Sequence, residues 1–158
     1  GGAERSEFSL LWKLATYEAE GEDHDLRVLG WWYRNRSEKG ARENYLMPLY
    51  YSSSSDDKSL FWLLYPLFEY EREGETGQVD VLWKGFSYDW DKEGSEWRVL
   101  HKFIHSRRKG PNGLFEINPF FSYEWEGEER GMFQILGGLY YRQKTAGEWR
   151  SGGLWGLF

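Results

Sequence analysis

The chain contains no cysteine, so it has no disulfides, zinc–thiolate sites or thiol nucleophiles. It has four prolines, too few for a proline-rich fibre. No stretch approaches the roughly 18 consecutive apolar residues of a membrane-spanning helix. Positive charge is not in excess: 20 Lys and Arg face 26 Asp and Glu, for a net charge of −6. The two signs are interleaved, which disfavours attraction to a phosphate backbone, and no nucleic-acid partner is expected. The one tight basic cluster, Arg107 to Lys109, is read as a solvated turn.

Catalytic signatures are equally scarce. The four serines from Ser52 to Ser55 lie in no G-x-S-x-G elbow, and no G-x-x-x-x-G-K-[ST] phosphate loop occurs. Of three histidines, His101 and His105 are four apart, which on a strand separates them by about 13 Å, too far to share one metal ion. They read as packed or surface side chains. His24 lies in the acidic stretch EGEDHD, which lacks the spacing of an EF-hand loop and reads as solvated charge. Glu116 is the one carboxylate among apolar neighbours, without an evident partner. No catalysis, cofactor or metal is expected.

What the chain does have is aromatic residues: ten Trp, eleven Tyr and ten Phe, 20% of its 158 residues. With 40% hydrophobic and 29% charged residues, it has the composition of a folded domain, not of a disordered segment. The aromatics recur in a phrase repeated nine times: LWKLATY from Leu11, LGWWYRN from Leu29, LMPLYYS from Leu46, LYPLFEY from Leu64, LWKGFSY from Leu82, LHKFIHS from Leu100, INPFFSY from Ile117, ILGGLYYR from Ile135 and LWGLF from Leu154. The interval is 17 to 19 residues. Such a period marks one structural unit copied many times, each burying its apolar face against its neighbours.

Apolar residues alternate at period two within each copy, which indicates strand. Short polar stretches such as SEKGARE, REGETGQ and DKEGSE separate the copies, as hairpin turns do. The expected fold is all-β: an antiparallel up-and-down meander of about nine strands, one per repeat, in a single domain over residues 1–158. A parallel solenoid is the rival, but the polar stretches fall midway between motif centres, as hairpin closure requires. Trp90 and Trp97 bracket one turn and are expected to pair across it.

Strands paired at their motif centres give two faces. The expected core face collects Leu10, Leu14, Val28, Met47, Leu49, Leu63, Val81 and Trp83. The second, mixed face carries Tyr17, Trp31, Tyr33, Tyr50, Phe68, Tyr70, Phe86 and Tyr88. In the seventh copy Glu116 and Asn118 alternate with Ile117 and Pro119, an apparent reversal of faces that a bulge would explain. Pro48, Pro66 and Pro119 share one motif column. Proline is rare inside central strands, so the column implies a bend, as in a sheet that curls or closes into a barrel. The last copy stops at Phe158, consistent with a longer repeat array.

The phrases LLYPLFEYERE, LMPLYY, INPFFSYEW and FSLLWKLATYE resemble repeats in uncharacterised Gram-negative envelope proteins, which carry aliphatic-x-Pro-aromatic-x-x-Tyr strings followed by charged turns. The resemblance implies a location in the bacterial cell envelope, whether periplasm, surface or outer membrane. The functional expectation is a non-catalytic β-repeat module with a structural or binding role. Trp31, Tyr33, Tyr50, Tyr70, Phe86 and Tyr88 would form a row for stacking on a glycan or an envelope protein. The alternative is a transmembrane β-barrel or a segment of one. Membrane association, and oligomers or arrays formed through sheet edges, belong to the same set of expectations.

Overall fold

The computed structural model describes residues 5–10, 13–30 and 32–154. Among these it contains seventeen antiparallel strands, each of five or six residues. The chain divides into two units, Gly1–Val81 and Leu82–Phe158.

The first unit holds β1 (Arg5–Leu10), β2 (Ala15–Glu20), β3 (Asp23–Val28), β4 (Tyr33–Glu38), β5 (Ala41–Leu46), β6 (Tyr50–Ser54), β7 (Lys58–Leu63), β8 (Phe68–Glu73) and β9 (Thr76–Val81). The second holds β10 (Phe86–Trp90), β11 (Gly94–Val99), β12 (Ile104–Lys109), β13 (Asn112–Ile117), β14 (Phe121–Glu126), β15 (Arg130–Ile135), β16 (Tyr140–Thr145) and β17 (Glu148–Gly153). Within each unit every strand pairs antiparallel with its neighbours in the chain. The meander expected from the turns is therefore present, and the parallel solenoid is not.

The strand count is seventeen instead of nine, and the reason is local. The aromatic phrase is centred on a chain reversal, not on mid-strand. Leu49 N donates to Leu46 O at 2.7 Å, Leu67 N to Leu64 O at 2.9 Å, Gly85 N to Leu82 O at 2.9 Å, Phe103 N to Leu100 O at 3.1 Å and Phe120 N to Ile117 O at 2.7 Å. These are four-residue turns closed by an i to i+3 bond. Each repeat is thus a whole hairpin, with one polar and one apolar turn.

Pro48, Pro66 and Pro119 sit inside apolar turns, each after a cis peptide bond. Their column is a turn column, so it gives no ground for a bent or curled strand. Among the described residues no pairing joins β1 to β9 or β10 to β17, and neither unit closes into a barrel. The apparent reversal at Glu116 disappears for the same reason: β13 ends at Ile117, and Asn118 and Pro119 belong to the next turn.

Polar turns close the opposite ends of the strands, using glycines in the left-handed region such as Gly40 (φ 85°) and Gly147 (φ 86°), where a Cβ is costly. The turn between β10 and β11 is tied by Asp91, whose carboxylate accepts the amides of Glu93 at 2.7 Å and Gly94 at 2.8 Å. These amide bonds hold the Asp91 carboxyl below the usual carboxylate range.

Alternation along the strands makes one face predominantly aromatic and the other predominantly charged in each unit, although Tyr45, Tyr51 and Trp62 stack in a row on the charged face of the first. In the first unit the aromatic face carries Leu10, Tyr17, Val28, Tyr33, Tyr50, Leu63, Phe68, Tyr70 and Val81. Residues assigned from sequence to opposite faces therefore share one. Leu14, Met47, Leu49 and Trp83 belong to turns. The expected core face does not form: among the described residues no apolar side chain is fully buried, and the buried polar ones are Asp80, Ser87 and His105.

Candidate functional site

The six aromatics singled out from sequence divide between the units. Tyr33, Tyr50 and Tyr70 lie half-buried on the aromatic face of the first. Phe86 and Tyr88 lie on the aromatic face of the second. Trp31 lies outside the described residues. Register places Tyr33 opposite Leu46, and Leu46 opposite Tyr50. The two tyrosines are thus two strands apart in one row, roughly 10 Å along the sheet.

The next row supplies what the sequence reading missed. Asn35 pairs with Asn44, and Asn44 with Ser52, so two amides and a hydroxyl flank the two rings on the same face. Tyr50 Oη donates to Asn44 Oδ1 at 3.0 Å, and His24 Nε2 lies 3.1 Å from Asn35 Oδ1. His24 is thereby a strand residue bonded to an amide, not a solvated turn residue. The amides are held by these bonds, with each amide nitrogen left as a donor. Rings beside oriented amides can stack on an apolar sugar face and hydrogen-bond its hydroxyls. Asn44 lies outside the repeated phrase and Asn35 is the last, variable position of one copy, so periodicity gave no signal for them.

In the second unit the aromatic face is denser. Phe115, Phe121, Phe133 and Tyr140 form a chain of edge-on contacts, with centroids 5.9, 5.2 and 6.3 Å apart. Tyr88 stacks on Trp90 at 5.6 Å and Tyr123 on Trp125 at 5.4 Å. Rings in mutual contact over several strands stabilise the sheet as cross-strand pairs do. Trp97 pairs in register with Tyr88 and Trp90 with Ser95, so the expected Trp90–Trp97 pair is offset by one row.

The charged faces carry ion-pair ladders. In the first unit Asp25 accepts from Arg27 Nη2 at 2.6 Å and from Arg34 Nη2 at 2.8 Å, with the Nε of each arginine at 3.1 Å. In the second, buried His105 has Nδ1 3.1 Å from Glu116 and Nε2 3.1 Å from Glu96, which answers the question of Glu116's partner. Both ring nitrogens are engaged, so the ring is fixed between two carboxylates. His101 lies apart, exposed in the preceding apolar turn.

A concavity of about 810 Å³ with a mixed polar and apolar lining occupies the second unit, bounded among others by Arg107, Glu124, Trp125, Arg130, Met132 and Gln143. Arg107 and Lys109 belong to β12, so the basic cluster read as a turn is in strand. It was misread because three cations in sequence carry no period-two signal. Among the described residues no group of three or more His, Asp and Glu has the arrangement of a metal site. No family model, curated protein or solved structure matches the chain.

Proposed function

We propose that this chain is a non-catalytic β-repeat module of the bacterial cell envelope whose aromatic face binds glycan. The observation that carries this reading is the row of Tyr33 and Tyr50 flanked by Asn35, Asn44 and Ser52 on one half-buried face. A sheet with no buried apolar core among its described residues presents its rings for contact instead of consuming them in packing. The envelope location rests on the resemblance of the repeats.

Strand length supports a module over a membrane-spanning barrel. Six residues extend about 20 Å, whereas a spanning strand takes roughly 9 to 11 residues.

Co-sedimentation with purified peptidoglycan tests the proposal. The native chain is expected to sediment, and Tyr33→Ala with Tyr50→Ala to weaken binding about tenfold, the worth of two ring contacts. Absence of binding by the native chain, or undiminished binding by the double variant, would remove the aromatic row as a glycan site.

A further inference from the structure

The apolar turns all emerge along one edge of each unit, because an antiparallel meander sends alternate connections to opposite ends of the strands. In the second unit this edge presents Leu82, Trp83, Leu100, Phe103, Phe120 and Leu136, each between 44% and 70% exposed. The edge of the first unit repeats the pattern with Leu64, Tyr65 and Leu67. Neighbouring apolar turns are two strands apart, so the prongs stand roughly 10 Å from one another. Cross-turn bonds hold them in line: Asn118 N donates to Phe103 O at 2.9 Å and Leu136 N to Phe120 O at 2.8 Å.

Backbone conformation makes these leucines unusual. Leu64, Leu82, Leu100 and Leu136 have φ of 45° to 52°, a region that favours Gly and Asn and costs a leucine about 1 kcal/mol or more. A turn whose only task was to reverse the chain in water would be better served by asparagine. An exposed leucine held in that conformation, turn after turn, is a feature with a use.

Charge distinguishes the occupant. Among the described residues every Asp and Glu lies in a strand or a polar turn, and none in an apolar turn. The formally charged residues of the apolar turns are Lys13, Lys84 and Lys102. We infer that the apolar edge of each unit docks onto a lipid bilayer bearing anionic headgroups. The leucine and aromatic prongs enter the acyl boundary and the lysines meet the headgroups, as at interfacial protein surfaces. The acid-rich remainder of each unit is repelled by the same surface, which orients that unit edge-down.

A second copy is a poorer occupant, since like edges would bring lysines together. Separated prongs also lack the continuous complementary surface of a protein interface. A bilayer needs no such complementarity. This inference does not depend on the glycan reading, which concerns the sheet face and not its edge.

The test is sedimentation of the full chain with phosphatidylcholine vesicles, with and without phosphatidylglycerol, followed by tryptophan quenching with brominated lipid. The native chain is expected to bind the anionic vesicles and to be quenched. Leu100→Asn with Leu136→Asn, which replaces each leucine by a residue at ease in the left-handed region, is expected to lower partitioning about tenfold or more with unchanged far-UV circular dichroism. Lys13→Glu with Lys102→Glu is expected to abolish the preference for anionic over neutral vesicles. Failure of the native chain to bind, binding indifferent to the leucine substitutions, or self-association through the same residues without vesicle binding would overturn the inference.

Discussion

Replacing Gly94 with alanine is expected to lower stability by about 3 kcal/mol, near the upper end of what a methyl forced into a packed site costs. Gly94 opens β11 opposite Lys109. A Cβ at this position would collide with the Arg108 carbonyl oxygen and stand 2.8 Å from its carbon and 3.0 Å from Lys109 Cα. All three are backbone atoms of the partner strand and cannot rotate aside as a side chain does. Either β11 and β12 separate locally or the turn tied by Asp91 rearranges and gives up its two amide bonds. Gly131→Ala is the control, because its Cβ would meet nothing nearer than 3.7 Å. That variant is expected within about 1 kcal/mol of the native chain. Urea unfolding followed by circular dichroism separates the two, and equal midpoints for Gly94→Ala and the native chain would refute the packing argument.

The sequence disclosed the fold class and the antiparallel order because both follow from signals of short range. Period-two alternation indicates strand, and SEKGARE or DKEGSE indicates a hairpin turn, whatever surrounds them. It did not disclose that each repeat is two strands, because the second turn carries no polar signature. Leu64, Tyr65, Pro66 and Leu67 are as apolar as the strands they join, so hydropathy runs through them unbroken. The turn centre holds proline, glycine or a single lysine, as at Lys84, and proline within an assumed strand reads as a bend. Two consequences followed. Leu10, Val28, Leu63 and Val81 were placed opposite Tyr33 and Tyr50, although they share a face with them. Leucines of the turns were also assigned to a core that among the described residues does not exist.

The candidate site was legible in half. Tyr33 and Tyr50 belong to the repeated phrase, and register keeps them on one face even with the strand count wrong. Asn35 and Asn44 are visible only once β4, β5 and β6 are aligned, since they meet across strands and lie nine residues apart in the chain. The His105 cluster follows the same rule: Glu116 and Glu96 lie 11 and 9 residues from His105. Glu116 stands out in the sequence by its apolar neighbours, but its partners appear only when pairing of β11, β12 and β13 brings the three together.

The Asp25 cluster yields the second large effect, and one whose pH dependence identifies its cause. The Asp25 side chain is 14% exposed. Its burial alone would raise the carboxyl pKa, but hydrogen bonds and charge from Arg34 and Arg27 outweigh burial and hold it well below the usual carboxylate range. A carboxyl depressed on folding contributes stability that is complete above its unfolded value of about 3.9 and is lost as pH falls from there toward the folded value. Asp25→Asn is therefore expected to cost about 2 kcal/mol near neutral pH, less than a fully buried pair because Arg27 is 45% exposed. The loss has a second component: with the carboxylate gone, Arg27 and Arg34 face each other in register across β3 and β4 as like charges, offset in part by Glu43, 3.5 Å from Arg34. As pH falls through the unfolded value, Asp25 takes up a proton in the unfolded chain while the folded carboxyl stays ionised, so part of its advantage over asparagine is lost and the difference in urea midpoint should shrink between neutral pH and about pH 3. A difference of equal size at both pH values would mean that Asp25 acts through shape and hydrogen bonding, with no part played by its charge.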